Sequence, residues 1–229
     1  MTGNTTSGQS GTTTGARPVR AEIKGMPTSD GAGVRLTRYI GSPELDSLDP
    51  FLLLDLFESD DPNDYIAGFP PHPHRGFETV TYLLAGRMRH EDNAGHAGVI
   101  EAGDIQWMTA GRGIVHSEMP EQEEGRLAGF QLWVNLPAAS KMTAPAYQEY
   151  AAASIPVESR RGGVRAKVIT GRTSAGTAGP VRDVATAPLV SAIVSATAAP
   201  PSGSCTATSQ GRPPSLHRRE RMSPPALIR

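Results

Sequence analysis

Two pairs of residues able to bind a metal stand at alternate positions in two segments flanked by glycine. His72 and His74 form the first pair, and His116 and Glu118 form the second. Side chains at i and i+2 of an extended chain point to the same face, so each pair can present two donors in one direction. Imidazole suits iron, copper, nickel and zinc, and the absence of thiolate argues against a structural zinc site. The pattern therefore indicates a candidate metal site with open positions, although histidines in a surface loop are the simpler alternative.

Three other residues compete for a place in this site. Continuing the alternation past His74 puts Glu78 on the same face, followed by increasingly apolar residues, so the pair should point into a core and Glu78 is an alternative ligand. His90 lies beside two acidic residues at a strand end, and His96 lies in a glycine-rich turn. We expect both of these histidines to lie on the surface.

The elements that must position these residues are predicted to be strands. Short alternating or apolar segments are separated by turn-forming residues, as in an all-β sandwich or barrel. The predicted strands are Val34–Ile40, Phe51–Phe57, Phe77–Leu84, Arg87–His90, Gly98–Ile100, Ile105–Met108 and Phe130–Val134. A helix is conceivable only in the alanine-rich stretch near Tyr147 to Ala153. Since 42 residues separate His74 from His116, four or five strands fit between them, and a closing barrel could bring the two segments face to face.

Aromatic residues show where the core must be. The chain has 229 residues, and its two Trp, five Tyr and five Phe all fall between Tyr39 and Tyr150. Residues 1–16 are almost entirely Thr, Gly, Ser and Asn, which predicts a disordered tail. Residues 191–229 contain no aromatic residue and five arginines against the single Glu220.

Charge and hydropathy exclude several classes of protein. The net charge of -1 gives no overall basic field for nucleic acid or an anionic membrane, and no apolar run approaches the length of a transmembrane span or a signal peptide. The single cysteine, Cys205, cannot close an internal disulfide, which fits a reducing compartment. We therefore expect a soluble cytoplasmic protein that contacts neither membrane nor nucleic acid.

Four segments resemble signatures of the pirin family, in the cupin superfamily. They are FPPHPHRGFETVTY at residues 69–82, QWMTAGRGIVHSEM at 106–119, QLWVNLP at 131–137 and PFLLLD at 50–55. The similarity extends from about Arg17 to Val190. It implies an all-β fold of cupin (jelly-roll) barrels, and it gives His72, His74, His116 and Glu118 as the ligands of one iron in the N-terminal barrel. Glu78 then has only a supporting role.

The resemblance also implies a function. Some pirins are linked to quercetin 2,3-dioxygenase activity, in which a flavonol binds the metal through its 3-hydroxyl oxygen. Glu118, bound or transiently detached, would accept the hydroxyl proton, and dioxygen would cleave the ring with loss of carbon monoxide. Fe(II) is the expected metal, although other divalent transition metals suit the same donors. Phe51, Phe69 and Trp107 are candidates for pocket walls or core. The alternative is a non-catalytic iron-binding regulator or transcription cofactor that acts through a protein partner.

The C-terminal third departs from the family pattern. We predict an N-terminal cupin barrel over residues 17–137, a linker and the start of a second cupin domain over 138–190, and a disordered or aberrant basic tail over 191–229. A frameshift would explain the abrupt loss of aromatic residues and strand alternation after Val190. An incomplete second barrel would leave apolar surface on the first, so self-association is a further expectation.

Overall fold

A computed structural model describes residues 21–160, 163–184 and 192–193. Ala192 and Ile193 are described by their backbone alone. Fourteen strands account for nearly all of the regular structure in these ranges. They are β1 Met26–Asp30, β2 Val34–Ile40, β3 Phe51–Ser59, β4 Phe69–His74, β5 Phe77–Ala85, β6 Arg87–Asp92, β7 Ala97–Glu101, β8 Ile105–Thr109, β9 Ile114–Pro120, β10 Leu127–Asn135, β11 Ala146–Tyr150, β12 Val157–Ser159, β13 Arg165–Val168 and β14 Ala192–Ile193.

The all-β prediction is confirmed. Each of the seven predicted strands is present, and most extend by one to three residues beyond the predicted ends. Within the described ranges the helical segments are three single 3₁₀ turns, and none is long and apolar enough to cross a membrane. The stretch near Tyr147 is strand β11 and not a helix, because its residues pair in register with β8.

Two sheets enclose the inner core. The larger has the order β1-β2-β3-β10-β5-β8-β11, and the smaller has the order β4-β9-β6-β7. Leu83 of β5 and Phe57 of β3 pack in one buried cluster with Met88 of β6 and Ile100 of β7, so side chains from both sheets meet between them. This facing pair of antiparallel sheets is the framework that holds the candidate site.

The larger sheet is buried on its outer face as well. Val80, Tyr82 and Trp107 project there and pack with Ile169 and Val181 from the segment that follows β11. That segment contains the three-stranded sheet β12-β13-β14. Apart from Ala192 and Ile193 in β14, the predicted tails at 1–16 and 191–229 lie outside the described residues. The predicted domain boundaries stay predictions.

Candidate metal centre

Strands β4 and β9 bring three histidines together. The two strands are antiparallel neighbours in the smaller sheet, and His72 lies directly opposite His116. The ring centroids are 4.6 Å apart for His72 and His116, 4.7 Å for His72 and His74, and 4.9 Å for His74 and His116. One ring nitrogen from each of the three lies within 4.8 Å of the others. The segments therefore meet side by side in one sheet, whereas the sequence suggested that they might face each other across a barrel.

Burial and hydrogen bonding leave nitrogen lone pairs in this cluster. His72 Nδ1 lies 2.8 Å from the Pro70 carbonyl oxygen, so Nδ1 carries the proton and Nε2 keeps its lone pair toward His74. His116 is only 1% exposed, and neither of its ring nitrogens has a hydrogen-bond partner among the described residues. Leaving a buried polar group without a partner costs ~1–3 kcal/mol, so a cation bound by His116 would remove an energetic penalty.

Burial also keeps two of the imidazoles neutral. Desolvation, with the neighbouring His116 and His72, lowers the pKa of His74 from 6.5 to about 4. Desolvation, with His72 and His90, lowers the pKa of His116 to about 3. Both side chains are therefore neutral near pH 7 and can donate a lone pair to a cation.

Glu118 lies near this cluster but is held by other partners. Its side chain shares the inner face of β9 with His116 and is 2% exposed. Oε1 accepts a hydrogen bond from Thr81 Oγ1 at 2.9 Å, and Oε2 accepts one from Gln131 Nε2 at 2.8 Å. Among the described residues, the group of donor atoms within 4.8 Å of one another includes the three histidines and not Glu118. The structure thus brings together three of the four predicted ligands and places the fourth beside them.

Glu78 points away from the histidines, so the alternation that made it an alternative ligand does not hold. The chain turns at Gly76, where φ is +79°, and passes from β4 in the smaller sheet to β5 in the larger. Odd-numbered side chains of β5 then face the site, as the Thr81 contact with Glu118 shows. Glu78 instead lies on the face of Val80, where it accepts a hydrogen bond from Thr109 Oγ1 at 2.8 Å.

The aromatic neighbours of the site were also missed by sequence reasoning. Phe77 and Trp133 contact the His74 ring at centroid distances of 5.0 and 5.2 Å, and they lie 4.7 Å from each other. Trp107 faces the outer cluster, with Phe51 at its edge, and Phe69 packs against the inner core. The sequence does contain a signal for Phe77, because this residue directly follows the turn after His74.

His90 is buried, contrary to the expectation of a surface residue. It is 3% exposed because β6 continues to Asp92, which places His90 inside the sandwich opposite Glu118 of β9. Its Nε2 lies 2.8 Å from Glu149 Oε1, and its ring stacks on Tyr147 at 5.8 Å. His96 is exposed as predicted, with 66% of its side chain accessible. Strand β11 therefore brings two polar side chains next to His90 that the sequence did not indicate, Tyr147 and Glu149, of which Glu149 is 37% exposed.

The residues present fit a divalent transition metal. Three imidazoles converge, His72 Nδ1 is hydrogen-bonded to a backbone carbonyl oxygen, and neither ring nitrogen of His116 has a partner among the described residues. A carboxylate lies on the same face as His116. This nitrogen-rich donor set suits iron, nickel, copper or zinc and leaves room for further ligands.

Comparison with known proteins shows which family the region around this site resembles. The sequence model of the pirin family matches residues 33–134, which include all three histidines and Glu118. A pirin-like protein from Caulobacter vibrioides is 67% identical over 165 residues, which make up 72% of this chain and 60% of that protein. Pirin from Homo sapiens is 52% identical over 157 residues, 68% of this chain and 52% of that protein.

A solved structure shows the same fold. The crystal structure of quercetin 2,3-dioxygenase from Acinetobacter baumannii aligns with a TM-score of 0.62 and 36% identity, over 70% of this chain and 58% of that one. The chain thus spans roughly half to three fifths of the length of these relatives. The all-β architecture is of the cupin class. Residues 33–134 of this chain are a pirin domain.

Proposed function

We propose that this protein is a metal-dependent dioxygenase that acts on flavonols and uses Fe(II). The observation that carries the proposal is the convergence of three imidazoles, one of them buried with no hydrogen-bond partner among the described residues. The similarity to a protein named quercetin 2,3-dioxygenase gives the substrate class. Because the chain covers only part of that protein, the activity is a proposal for this chain.

His72, His74 and His116 would hold the metal, with Glu118 as the fourth ligand. Bound there, the metal would act as a Lewis acid that lowers the pKa of the flavonol 3-hydroxyl group and offers a position for dioxygen. Glu118 would accept the hydroxyl proton, a general-base role worth ~10²–10⁴-fold in rate. Both atoms of dioxygen enter the products, the heterocyclic ring opens and carbon monoxide leaves.

Phe77 and Trp133 give this site an aromatic side suited to a planar substrate. Their rings lie 4.7 Å apart next to His74, which is the spacing of stacked or tilted aromatic pairs. The Trp133 indole Nε1 has no hydrogen-bond partner among the described residues. It is therefore a donor that a substrate oxygen could engage.

The test is turnover of quercetin by the purified full chain. Protein reconstituted with Fe(II) under air should consume the flavonol, followed by the loss of its visible absorbance, and should release carbon monoxide. The His116→Ala variant should lose this activity, whereas His96→Ala, which changes an exposed histidine, should keep it. Metal bound at one ion per chain with no turnover across a flavonol panel would contradict the proposal and favour the non-catalytic regulator.

A further inference from the structure

Thr81 and Gln131 form a hydrogen-bonded pair directly behind the Glu118 carboxylate. They lie opposite each other on the adjacent strands β5 and β10 of the larger sheet, while Glu118 comes from β9 of the smaller sheet. Thr81 is 1% exposed and Glu118 is 2% exposed. The three side chains therefore make a polar contact across the interior of the sandwich, where an unsatisfied donor or acceptor is costly.

The hydrogen atoms available to these three side chains do not satisfy all the contacts at once. Thr81 Oγ1 lies 2.9 Å from Glu118 Oε1 and also 2.9 Å from Gln131 Oε1. A hydroxyl group has one proton, so it can donate fully to only one of these acceptors at a time. Gln131 Nε2 independently donates to Glu118 Oε2 at 2.8 Å.

This arrangement gives Thr81 two alternative acceptors. When both oxygens of Glu118 are held by protein, the proton of Thr81 favours Glu118 Oε1, because a hydrogen bond to a charged acceptor is stronger. When Oε1 turns to another partner, the same hydroxyl can rotate toward Gln131 Oε1 without leaving a buried donor unsatisfied. Gln131 Nε2 keeps its bond to Oε2 throughout, so the carboxylate stays anchored by one oxygen.

We propose that Thr81 and Gln131 are positioning residues that let the Glu118 carboxylate alternate between a protein-held state and a metal-bound state. The inference rests on the metal centre of the proposed function. Thr81 stabilises the protein-held state by donating to Oε1. Gln131 stabilises the metal-bound state, because its Oε1 accepts the hydrogen bond that the Thr81 hydroxyl then redirects from Glu118. The pair thereby sets how readily Glu118 is released, which is what a residue that binds the metal and also accepts a substrate proton needs.

The two residues should consequently affect metal affinity in opposite directions. Thr81→Val removes a charge-assisted hydrogen bond from the protein-held state and only a neutral one from the metal-bound state, so metal binding should tighten by about 5–10-fold. Gln131→Met removes the Thr81 acceptor from the metal-bound state, so binding should weaken by a similar factor. Thr81→Ser keeps the hydroxyl group and should match the wild type.

The experiment is a Co(II) titration of the full chain, followed by the visible absorption of the bound ion and carried out without flavonol. The opposite changes in Co(II) affinity should disappear when Glu118 is also replaced by Gln, because an uncharged amide does not alternate between the protein-held and metal-bound states as the carboxylate does. Equally weakened Co(II) binding in both variants would indicate loss of packing alone and would overturn the proposed alternation of Glu118. Unchanged Co(II) affinity in both variants would overturn it as well.

The same titration separates this inference from the proposed function. Wild-type protein that binds Co(II) without the opposed shifts contradicts only the roles of Thr81 and Gln131. Wild-type protein that binds no Co(II) contradicts the metal centre itself, and the inference falls with it. Circular dichroism and the melting temperature of each variant confirm that the fold is retained.

Discussion

At the residue scale, two buried histidines of the candidate metal centre, His74 and His116, make the metal-free protein sensitive to acid. The folded-state pKa is about 4 for His74 and about 3 for His116, against 6.5 when exposed. Between the folded-state pKa values and 6.5, the unfolded chain therefore binds more protons than the folded protein. The contribution of these two histidines to the free energy of unfolding is fully present above pH 6.5 and is lost as the pH falls toward 4 and then 3.

We predict that the free energy of unfolding of chelator-treated protein falls with decreasing pH in this window. Each of the two groups contributes at most about 1.4 kcal/mol per pH unit. Urea denaturation at intervals from pH 8 to pH 4 measures the slope, and His116→Gln should reduce it. A free energy of unfolding that does not change below pH 6.5 would show that the imidazoles are protonated as readily in the folded protein as in the unfolded chain.

Glu149 is a second residue whose effect can be predicted. Its Oε1 lies 2.8 Å from His90 Nε2 and accepts a hydrogen bond from Gln106 Nε2 at 2.8 Å, and these contacts with His90 and Gln106 lower the pKa of the carboxyl group. Glu149→Ala removes a partner from the buried His90 imidazole and from the buried Gln106 amide, and should cost ~1–3 kcal/mol of unfolding free energy. Glu123→Ala, at an exposed position, is the matched control and should change stability little. Equal effects from both substitutions would mean that the contacts of Glu149 with His90 and Gln106 do not stabilise the fold.

Individual residues show why alternation predicted only part of the site. It correctly put His72 and His74 on one face, because both lie within β4. It was wrong for Glu78, because the turn at Gly76 separates two strands in different sheets. His90 was misplaced for a related reason, since its strand runs two residues further than the sequence indicated.

At the scale of elements, the turn that precedes β9 depends on a glycine. Gly111 has φ of +51°, and a Cβ at this position would overlap the Thr143 carbonyl oxygen. Its own carbonyl oxygen accepts a hydrogen bond from Gly76 N at 2.8 Å, which joins the ends of the turns next to β4 and β9. The turn thereby helps to align the two strands that carry the histidines.

Gly111→Ala should destabilise the protein by more than the cost of a positive φ alone, which is ~1–2 kcal/mol. Gly95→Ala is the matched control, because Gly95 also has positive φ at +90° but has nothing within 4 Å of an added Cβ. Thermal unfolding should show a larger loss for Gly111→Ala, accompanied by weaker Co(II) binding. If the two variants unfold at the same temperature, the contact with Thr143 has no energetic role.

The strands themselves were predictable, but their neighbours were not. The β-branched and aromatic residues between Phe77 and Ala85 identify β5 from local sequence. The pairing of β4 with β9 joins residues 42 positions apart, and nothing local specifies that they are adjacent. The strand β11 was missed because its alanine-rich surroundings conceal a pairing with β8.

At the scale of the whole molecule, the segment after β11 covers the outer face of the larger sheet. Ile169 is 2% exposed and packs in the cluster that contains Val80 and Trp107. Ile169→Ala should therefore cost ~2–5 kcal/mol of unfolding free energy, as expected for a buried aliphatic side chain. Val157→Ala changes a side chain that is 41% exposed and should cost much less. Equal costs would indicate that this segment does not support the sheet in solution.

Composition averaged over the whole chain conceals how unevenly the residues of the core are distributed. The aromatic residues correctly marked the region between Tyr39 and Tyr150 that supplies most of the two large sheets. Composition could not show that Ile169 and Val181 would pack on the back of that region. Those contacts depend on the three-dimensional arrangement of distant segments, which no local pattern encodes.

If His72, His74 and His116 form one metal site, the purified protein binds one metal ion per chain, and elemental analysis measures this stoichiometry. Protein purified without chelator, or reconstituted with Fe(II) and desalted, should contain one ion per chain by elemental analysis. His96→Ala should retain that ion, and His116→Ala should lose it, because a buried ligand that has no other partner among the described residues is removed. One ion per chain in His116→Ala, or none in the wild type, would contradict the account.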